Sequence, residues 1–281
     1  MKQFILEAAP DRNGRVRLEG GDYRYLVSVR RLAPGEYFPA LLPGGGEVSV
    51  RVLSVDNRTL VGEISHNNCN REKHLPALPP IILLQALPRS DKMDLIVRQA
   101  AEGGTAEIVP FVSEFSAAKI TGADRQKIQD NQRLSDNHRL SDNPKLSRWR
   151  RIIREARQQS GSAVATEIHP PVSMDGLFSY WEQMKTGKSG AAGLLFHHLP
   201  LAQESLHGYL DTYPETVAIA IGPEGGFSSA EAERFIAAGF RPFTIGENIL
   251  RTETAALYAQ AAVRILLAER DSWETKQKTK T

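Results

Sequence analysis

Val217-Ala218-Ile219-Ala220-Ile221-Gly222-Pro223-Glu224-Gly225-Gly226-Phe227-Ser228-Ser229-Ala230-Glu231 is the stretch on which the reading of the fold turns. A wholly apolar run with β-branched residues reads as a strand covered on both faces, the situation of a strand inside a parallel sheet. The run empties into a glycine-rich turn and then a helix, whose start is marked by Ser228 and Glu231 at the spacing of a capping box. In an open α/β sheet, ligands bind where a strand ends just before a helix. Gly222, Gly225 and Gly226 allow close backbone approach, and Pro223 stiffens the entry. Taken alone, the turn is equally an ordinary strand-to-helix connection. It is neither Gly-x-Gly-x-x-Gly nor a Walker phosphate loop, which argues against dinucleotides and nucleoside triphosphates.

Phe243-Thr244-Ile245-Gly246-Glu247-Asn248-Ile249-Leu250-Arg251-Thr252-Glu253-Thr254-Ala255-Ala256 repeats the construction. A strand ends at a glycine and a helix begins, with Thr252 expected as its N-cap and Glu253 favourable in its first turn. Arg251 stands just ahead of that helix, with no carboxylate partner nearby in sequence. By itself it reads as a structural arginine capping the loop.

Working outward, apolar runs alternate with helical patterns. Strands are expected at Ile81–Leu87, Glu107–Val112, Ala192–His197 and Thr216–Ile221. Helices are expected at Asp91–Glu102, from Lys145 to about Ser160 with Trp149, Ile152, Ile153 and Ala156 on one face, and from Thr252 to about Glu269. The alternation predicts a parallel α/β domain over 81–270. Within it, 115–144 is polar and carries a short repeat, Arg133-Leu134-Ser135-Asp136-Asn137 echoed by Arg139-Leu140-Ser141-Asp142-Asn143. It is expected to be a mobile surface insertion. Residues 1–70 read differently: short strands at Lys2–Glu7, Arg15–Leu18, Tyr37–Leu42, Glu47–Ser54 and Thr59–Ser65, punctuated by glycine and proline, suggest a small barrel. A linker is placed at 71–80, where Pro76, Pro79 and Pro80 oppose helix, and a tail at 271–281.

Composition narrows the function classes. The 281 residues are 41% hydrophobic and 24% charged, enough for a sizeable core. A single cysteine, Cys69, excludes an internal disulfide framework and any multi-thiolate metal site. No run reaches the roughly 18 apolar residues of a membrane span. Met1–Pro10 lacks the organisation of a signal peptide, so a cytoplasmic protein is expected. Net charge is only +2, yet between residues 119 and 160 eleven basic residues stand against five acidic ones. Such a cluster could neutralise RNA phosphates, or be a solvated helix face. His197 and His198 are adjacent on a strand and poorly placed to share a metal, so no metal is expected.

The two glycine loops in this order, about twenty residues apart, together resemble the RsmE family of the SPOUT methyltransferases. The helix Arg148-Trp149-Arg150-Arg151-Ile152-Ile153-Arg154-Glu155-Ala156-Arg157-Gln158-Gln159-Ser160-Gly161 is similar to that family's Arg-Trp…Ala…Gln-x-Gly segment. Departures are Tyr23–Arg30, which replaces a histidine-rich opening, the 131–143 repeat, and His197-His198 in place of acids. The resemblance implies an N-terminal PUA-like RNA-binding barrel and a SPOUT sheet with a deep trefoil knot, a topology general fold rules exclude. It implies a homodimer that binds S-adenosylmethionine and methylates N3 of a uridine in the 16S rRNA of the small ribosomal subunit. By position, Leu195, Phe196, Ile221, Gly222, Gly225, Ile245, Gly246, Ile249 and Leu250 would surround the cofactor, and Thr254 and Ala255 would touch its tail. Arg251 would stabilise charge developing on the uracil, with Glu224 second in line as a general base. Arg24, Arg30, Arg31, Arg148 and Arg151 are the expected RNA contacts. Three other readings remain: a methyltransferase for another RNA, a non-catalytic RNA-binding module with a vestigial pocket, and a nucleotide-dependent α/β enzyme.

Overall fold

The structure is a computed structural model that describes residues 4–6, 8–65, 78–89, 91–116, 144–186, 190–198 and 202–278, backbone only beyond Glu269. Ser90, the 131–143 repeat and most of the 71–80 linker lie outside these residues. The chain divides into two compact units, residues 1–74 with 154–165 and residues 75–153 with 166–281.

The first unit is built on a five-stranded sheet: β1 (Phe4–Ile5), β2 (Arg15–Glu19), β3 (Tyr37–Leu41), β4 (Glu47–Val55) and β5 (Thr59–Ser65), in the order β1-β3-β4-β5-β2. Only β1 and β3 pair in parallel. Alternation decides the buried face: in β2, Val16 and Leu18 turn inward while Arg15, Arg17 and Glu19 face solvent. A one-residue bulge lies between Val52 and Ser54 of β4. Between β2 and β3 the chain forms a short helix, α1 (Gly20–Tyr23), and a π-helical turn at Arg24–Val29. No helical period announces either. Leu26 is fully buried there and the Tyr25 ring stacks near Phe4, so tertiary packing overrides the β-branched composition.

The second unit is a six-stranded sheet in which every pairing is parallel. Its strands are β6 (Ile81–Ala86), β7 (Glu107–Phe111), β8 (Glu167–Ile168), β9 (Ala191–Phe196), β10 (Thr216–Ile221) and β11 (Phe240–Phe243), in the order β11-β9-β10-β6-β7-β8. Between them lie α2 (Lys92–Glu102), α3 (Pro144–Ser160), α4 (Met174–Lys185), α5 (Leu206–Leu210) and α6 (Ser229–Ala237), and α7 (Thr252–Lys278) follows. β6 and β10 are buried along their whole length, the condition their continuous apolar runs predict. From β6 the chain steps outward through β7 and β8. It then crosses to the other side, where β10 slots between β9 and β6. This arrangement places the carboxyl end of β10, and the glycine turn that follows it, between those of β9 and β6.

Aromatic packing fills one side of the sheet: Phe235 lies within 5.1 Å, ring centre to ring centre, of Phe178, Phe227 and Phe240, and Trp181 is 4.8 Å from Phe240. On α7, Ala256, Ala259, Val263 and Leu267 are buried, and the helix packs against α2, β6 and β10. One expectation needs correction, and one helix had none. The last helix runs on to Lys278, so most of the expected tail is helical; the apolar period ends near Leu267, but neither proline nor glycine follows to stop the helix. Helix α4 had no sequence counterpart, although the side chain of Ser173 accepts from Gly176 N in a regular N-cap.

Trp181 is 1% exposed and its indole Nε1 donates to the carbonyl of Ala238 at 3.1 Å. Replacing it by alanine is expected to lower unfolding stability by about 3–5 kcal/mol, measured by urea denaturation followed by circular dichroism.

Candidate active site

The two glycine turns meet. A cleft of about 220 Å³ opens at the carboxyl ends of β9, β10 and β11, and its walls come from residues 221–227 and 243–250 with Phe196, His197 and His198. Of the sequence-derived cofactor residues, Phe196, Ile221, Gly222, Gly225, Ile245, Gly246, Ile249, Leu250 and Ala255 line it, as does Glu224. Leu195 is fully buried in the sheet behind, and Thr254, half-buried on α7, is outside the lining.

The first turn is tight because its glycines are needed. Gly226 has φ +71°, and a β-carbon there would lie 2.7 Å from the His198 ring. At Gly222 a β-carbon would come within 3.1 Å of the Gly226 backbone. Gly226 N donates to Pro223 O, closing the turn at 2.9 Å. Phe115, 46% exposed, packs against Gly225. Helix α6 then starts with the full capping box: Ser228 Oγ accepts from Glu231 N, and Glu231 Oε2 accepts from Ser228 N. Glu231 Oε1 also accepts from Glu114 N at 2.7 Å.

The second turn is held at its ends and open in the middle. Thr244 N donates to Gln203 Oε1 and Thr244 Oγ1 donates to His197 O. Among the described residues, the backbone N–H and C=O groups of 245–250 make no hydrogen bond. Unpaired backbone groups in a cleft are available to a ligand.

Thr252 corrects an expectation. Its hydroxyl does not cap α7; it donates to Gly222 O at 2.6 Å and accepts from Gln85 Nε2 at 3.1 Å. The N-cap position falls to Arg251, whose carbonyl accepts from Ala255 N. Gln85 is fully buried inside β6, so one threonine joins the ends of β6 and β10 to the start of α7.

Charge is distributed unevenly. Both oxygens of Glu224 accept from Arg89 N at 3.1 Å, and the carboxylate pairs with Lys92 Nζ at 3.1 Å. Lys92 also reaches Glu253 at 3.4 Å. Burial alone would push the Glu224 pKa up, but hydrogen bonds from its own and the Arg89 backbone, with the Lys92 ammonium, hold it below the usual carboxylate value. Lys92 is raised, chiefly by its hydrogen bond to Glu224 against a smaller opposing effect of desolvation. Arg251 is exposed beside the cleft, and no described carboxylate pairs with it. Sequence reading missed Lys92, Gln85 and Phe115; the one available signal was a lysine in the first turn of a helix, against the dipole.

The expected RNA contacts divide. Arg24 and Arg31 are exposed and Arg30 half-exposed in the first unit, Arg31 with φ +57°. Arg148 and Arg151 are exposed on α3, where Arg148 pairs with Asp94. The basic character of α3 is thinner than its composition: Arg154 pairs with Asp22 and Arg157 is 5% exposed.

A family model of the RNA methyltransferase domain matches residues 76–138 and 132–264, the whole span that builds the parallel sheet and the cleft. The chain belongs to this RNA methyltransferase family. A ribosomal RNA small subunit methyltransferase E of Mycobacterium bovis is 28% identical over 273 residues, 96% of this chain and 93% of that protein. The protein of the same name from Bacillus subtilis is 26% identical over 258 residues, 88% of each chain. The crystal structure of the Neisseria gonorrhoeae methyltransferase E bound to S-adenosyl methionine superposes with a TM-score of 0.69 at 25% identity, covering 95% of this chain and 98% of that one. These members agree with the resemblance carried by the two glycine loops.

Two outcomes test this geometry. Gly226→Ala is expected to cost about 1–3 kcal/mol in denaturant unfolding, since alanine must adopt a left-handed conformation and displace His198. The Lys92–Glu224 pair also has a definite pH dependence. Glu224 is depressed on folding, so its contribution is complete above the unfolded carboxylate value of 4.5 and is lost as pH falls through the lower folded value. Lys92 is raised, so its contribution is complete below 10.5 and disappears as pH rises through the folded value. Thermal melts of Glu224→Gln against the wild-type chain should differ most at neutral pH and converge on acidification below about 4.5.

Proposed function

We propose that this protein transfers a methyl group from S-adenosylmethionine to N3 of a uridine in the 16S rRNA of the small ribosomal subunit. The observation that carries the reading is the convergence of the two glycine turns on one cleft, with Arg251 in the chain between the lining residues Leu250 and Thr252. The cleft suits the cofactor: unpaired backbone groups at 245–250 can read an adenine edge, and Phe196, Ile221 and Leu250 supply apolar walls. When bound, S-adenosylmethionine supplies an electrophilic methyl group.

The residues of the chain do the rest. Positioning two reactants supplies much of the catalysis in such a transfer. Uracil N3 must lose its proton to become a nucleophile, which spreads negative charge onto the flanking carbonyl oxygens. A guanidinium, always charged and presenting its donors as a fixed fork, stabilises that charge. Among the described residues Arg251 is a cation beside the cleft that no carboxylate pairs with. Glu224 is better suited to anchoring than to accepting the proton, because Lys92 and Arg89 N occupy its carboxylate and its lowered pKa weakens it as a base.

The assembly and its location belong to the same reading. A cleft of about 220 Å³ is smaller than the roughly 300–1,000 Å³ of ordinary ligand sites. Beside it Ile249 is 80% exposed, and Leu257, Tyr258 and Ile265 form an exposed apolar face on α7. A second copy seated on that face would complete the pocket, giving a homodimer. We read 216–256 as the deep trefoil knot of the SPOUT fold, supported by the return of the chain from edge strand β11 to the centre, where α7 packs on α2, β6 and β10. The five-stranded sheet of the first unit is read as the PUA-like barrel, with Arg24, Arg30 and Arg31 guiding RNA there and Arg148 and Arg151 on α3. A cytoplasmic location follows from a ribosomal substrate.

Arg251→Ala tests the role directly. Methyl transfer to small subunits lacking the modification, followed with radiolabelled cofactor, should fall by about 10²–10³-fold. Calorimetric titration should give a cofactor Kd close to that of the wild type. Wild-type turnover in the variant would remove Arg251 from the mechanism, and absence of cofactor binding by the wild-type chain would favour a non-catalytic RNA-binding module.

A further inference from the structure

We infer that Lys92 is a positioning residue for methyl transfer, a single cation that fixes the spacing of the two cofactor turns and leaves Arg251 unpaired for the substrate. This deepens the proposed function and rests on it.

Lys92 opens helix α2, and a cation in the first turn of a helix opposes the macrodipole. Asp91 supplies no side-chain cap to offset it. Two carboxylates do, and they come from different turns: Glu224 at 3.1 Å from the 222–226 turn, and Glu253 at 3.4 Å from the segment that follows 246–251. All three side chains are more than two-thirds buried, so the pairs are less screened than surface ion pairs. Glu224 is held from a second side by Arg89 N, which fixes the carboxylate relative to the start of α2. Lys92 therefore closes a junction of three segments beside the cleft. The neutral chain from Gln85 through Thr252 to Gly222 also ties the first of these turns to the start of α7, here through β6, so the two ties together leave little freedom for one turn to slide past the other.

The charge balance matters as much as the spacing. Arg251 is two residues before Glu253, and Lys92 forms an ion pair with both carboxylates at the junction, closely with Glu224 at 3.1 Å and more loosely with Glu253 at 3.4 Å. Without the ammonium, Glu224 and Glu253 would face each other as like charges. They would push the turns apart and offer Arg251 a partner in place of the uracil.

Lys92→Met is expected to raise the cofactor Kd about tenfold and to lower the single-turnover rate on small subunits about tenfold, both read well below its melting temperature, which should itself fall because two carboxylates lose their partner. Lys92→Arg should recover most of both, because a guanidinium can also engage two carboxylates. Adding Glu253→Gln to Lys92→Met should not worsen it, since the pair is already gone. The milder Glu253→Gln, which keeps the Glu224 pair, should weaken cofactor binding about threefold and decides the matter if Lys92→Met fails to fold. Wild-type Kd and rate in Lys92→Met, or defects that Lys92→Arg does not relieve and that follow the loss of melting temperature, would overturn the inference. If the wild-type chain itself neither binds cofactor nor methylates, the proposed function falls with it; if only the variants behave as wild type, the function stands and Lys92 loses its role.

Discussion

The hydroxyl of Thr252, bonded to Gly222 O on one side and to Gln85 on the other, is the contact on which the cleft depends. Strands β6 and β10 have their positions dictated by burial on both faces, but nothing in a sheet dictates where the turns beyond the strand ends must go. A buried amide inside β6 supplies that information. Gln85 has no exposed surface, and leaving its donors unmade would cost the full desolvation of the group. Its Nε2 donates to Ala86 O and to Thr252, and so ties residues 85, 222 and 252 into one point. A polar residue in an otherwise apolar strand breaks a local rule, and such exceptions collect where function requires a fixed geometry.

A parallel sheet also sets the electrostatics of the site. Helices that follow strands start at the strands' carboxyl ends, so α2, α6 and α7 bring their positive dipole ends to the same side of the sheet as the cleft. Acids are favoured there, and Glu224, Glu231 and Glu253 gather accordingly. Each is then engaged: Glu231 by the cap of α6 and by Glu114 N, Glu224 by Arg89 N and Lys92, Glu253 by Lys92. With its acids engaged in this way, the rim leaves Arg251 exposed beside the cleft without a described carboxylate partner, and it is this cation that can stabilise charge on an anionic base.

The basic helix shows the opposite lesson. Five arginines between 148 and 157 suggest a strong positive field from composition alone. In the folded chain Arg148 meets Asp94, Arg154 meets Asp22, and Arg157 is almost wholly buried. Counting charges along a sequence weighs them equally, whereas the field at the surface depends on which are paired and which are solvated.

The sequence by itself determined the strands β6, β7, β9 and β10, the capping box of α6, and the two turns, because continuous apolar runs, glycines and cap residues act over a few neighbours. It also carried the motif pair that marks the family. It did not announce the helical insert at Gly20–Val29, helix α4 or the extension of α7, where burial or the mere absence of a stop signal decides the conformation. Only the tertiary structure showed that Thr252 joins two turns instead of capping its helix, and that Lys92 pairs with Glu224 and Glu253 across more than 130 residues of chain. Such contacts have no local signature, since they arise when a parallel sheet brings separate strand ends side by side, and sequence spacing carries no record of that distance.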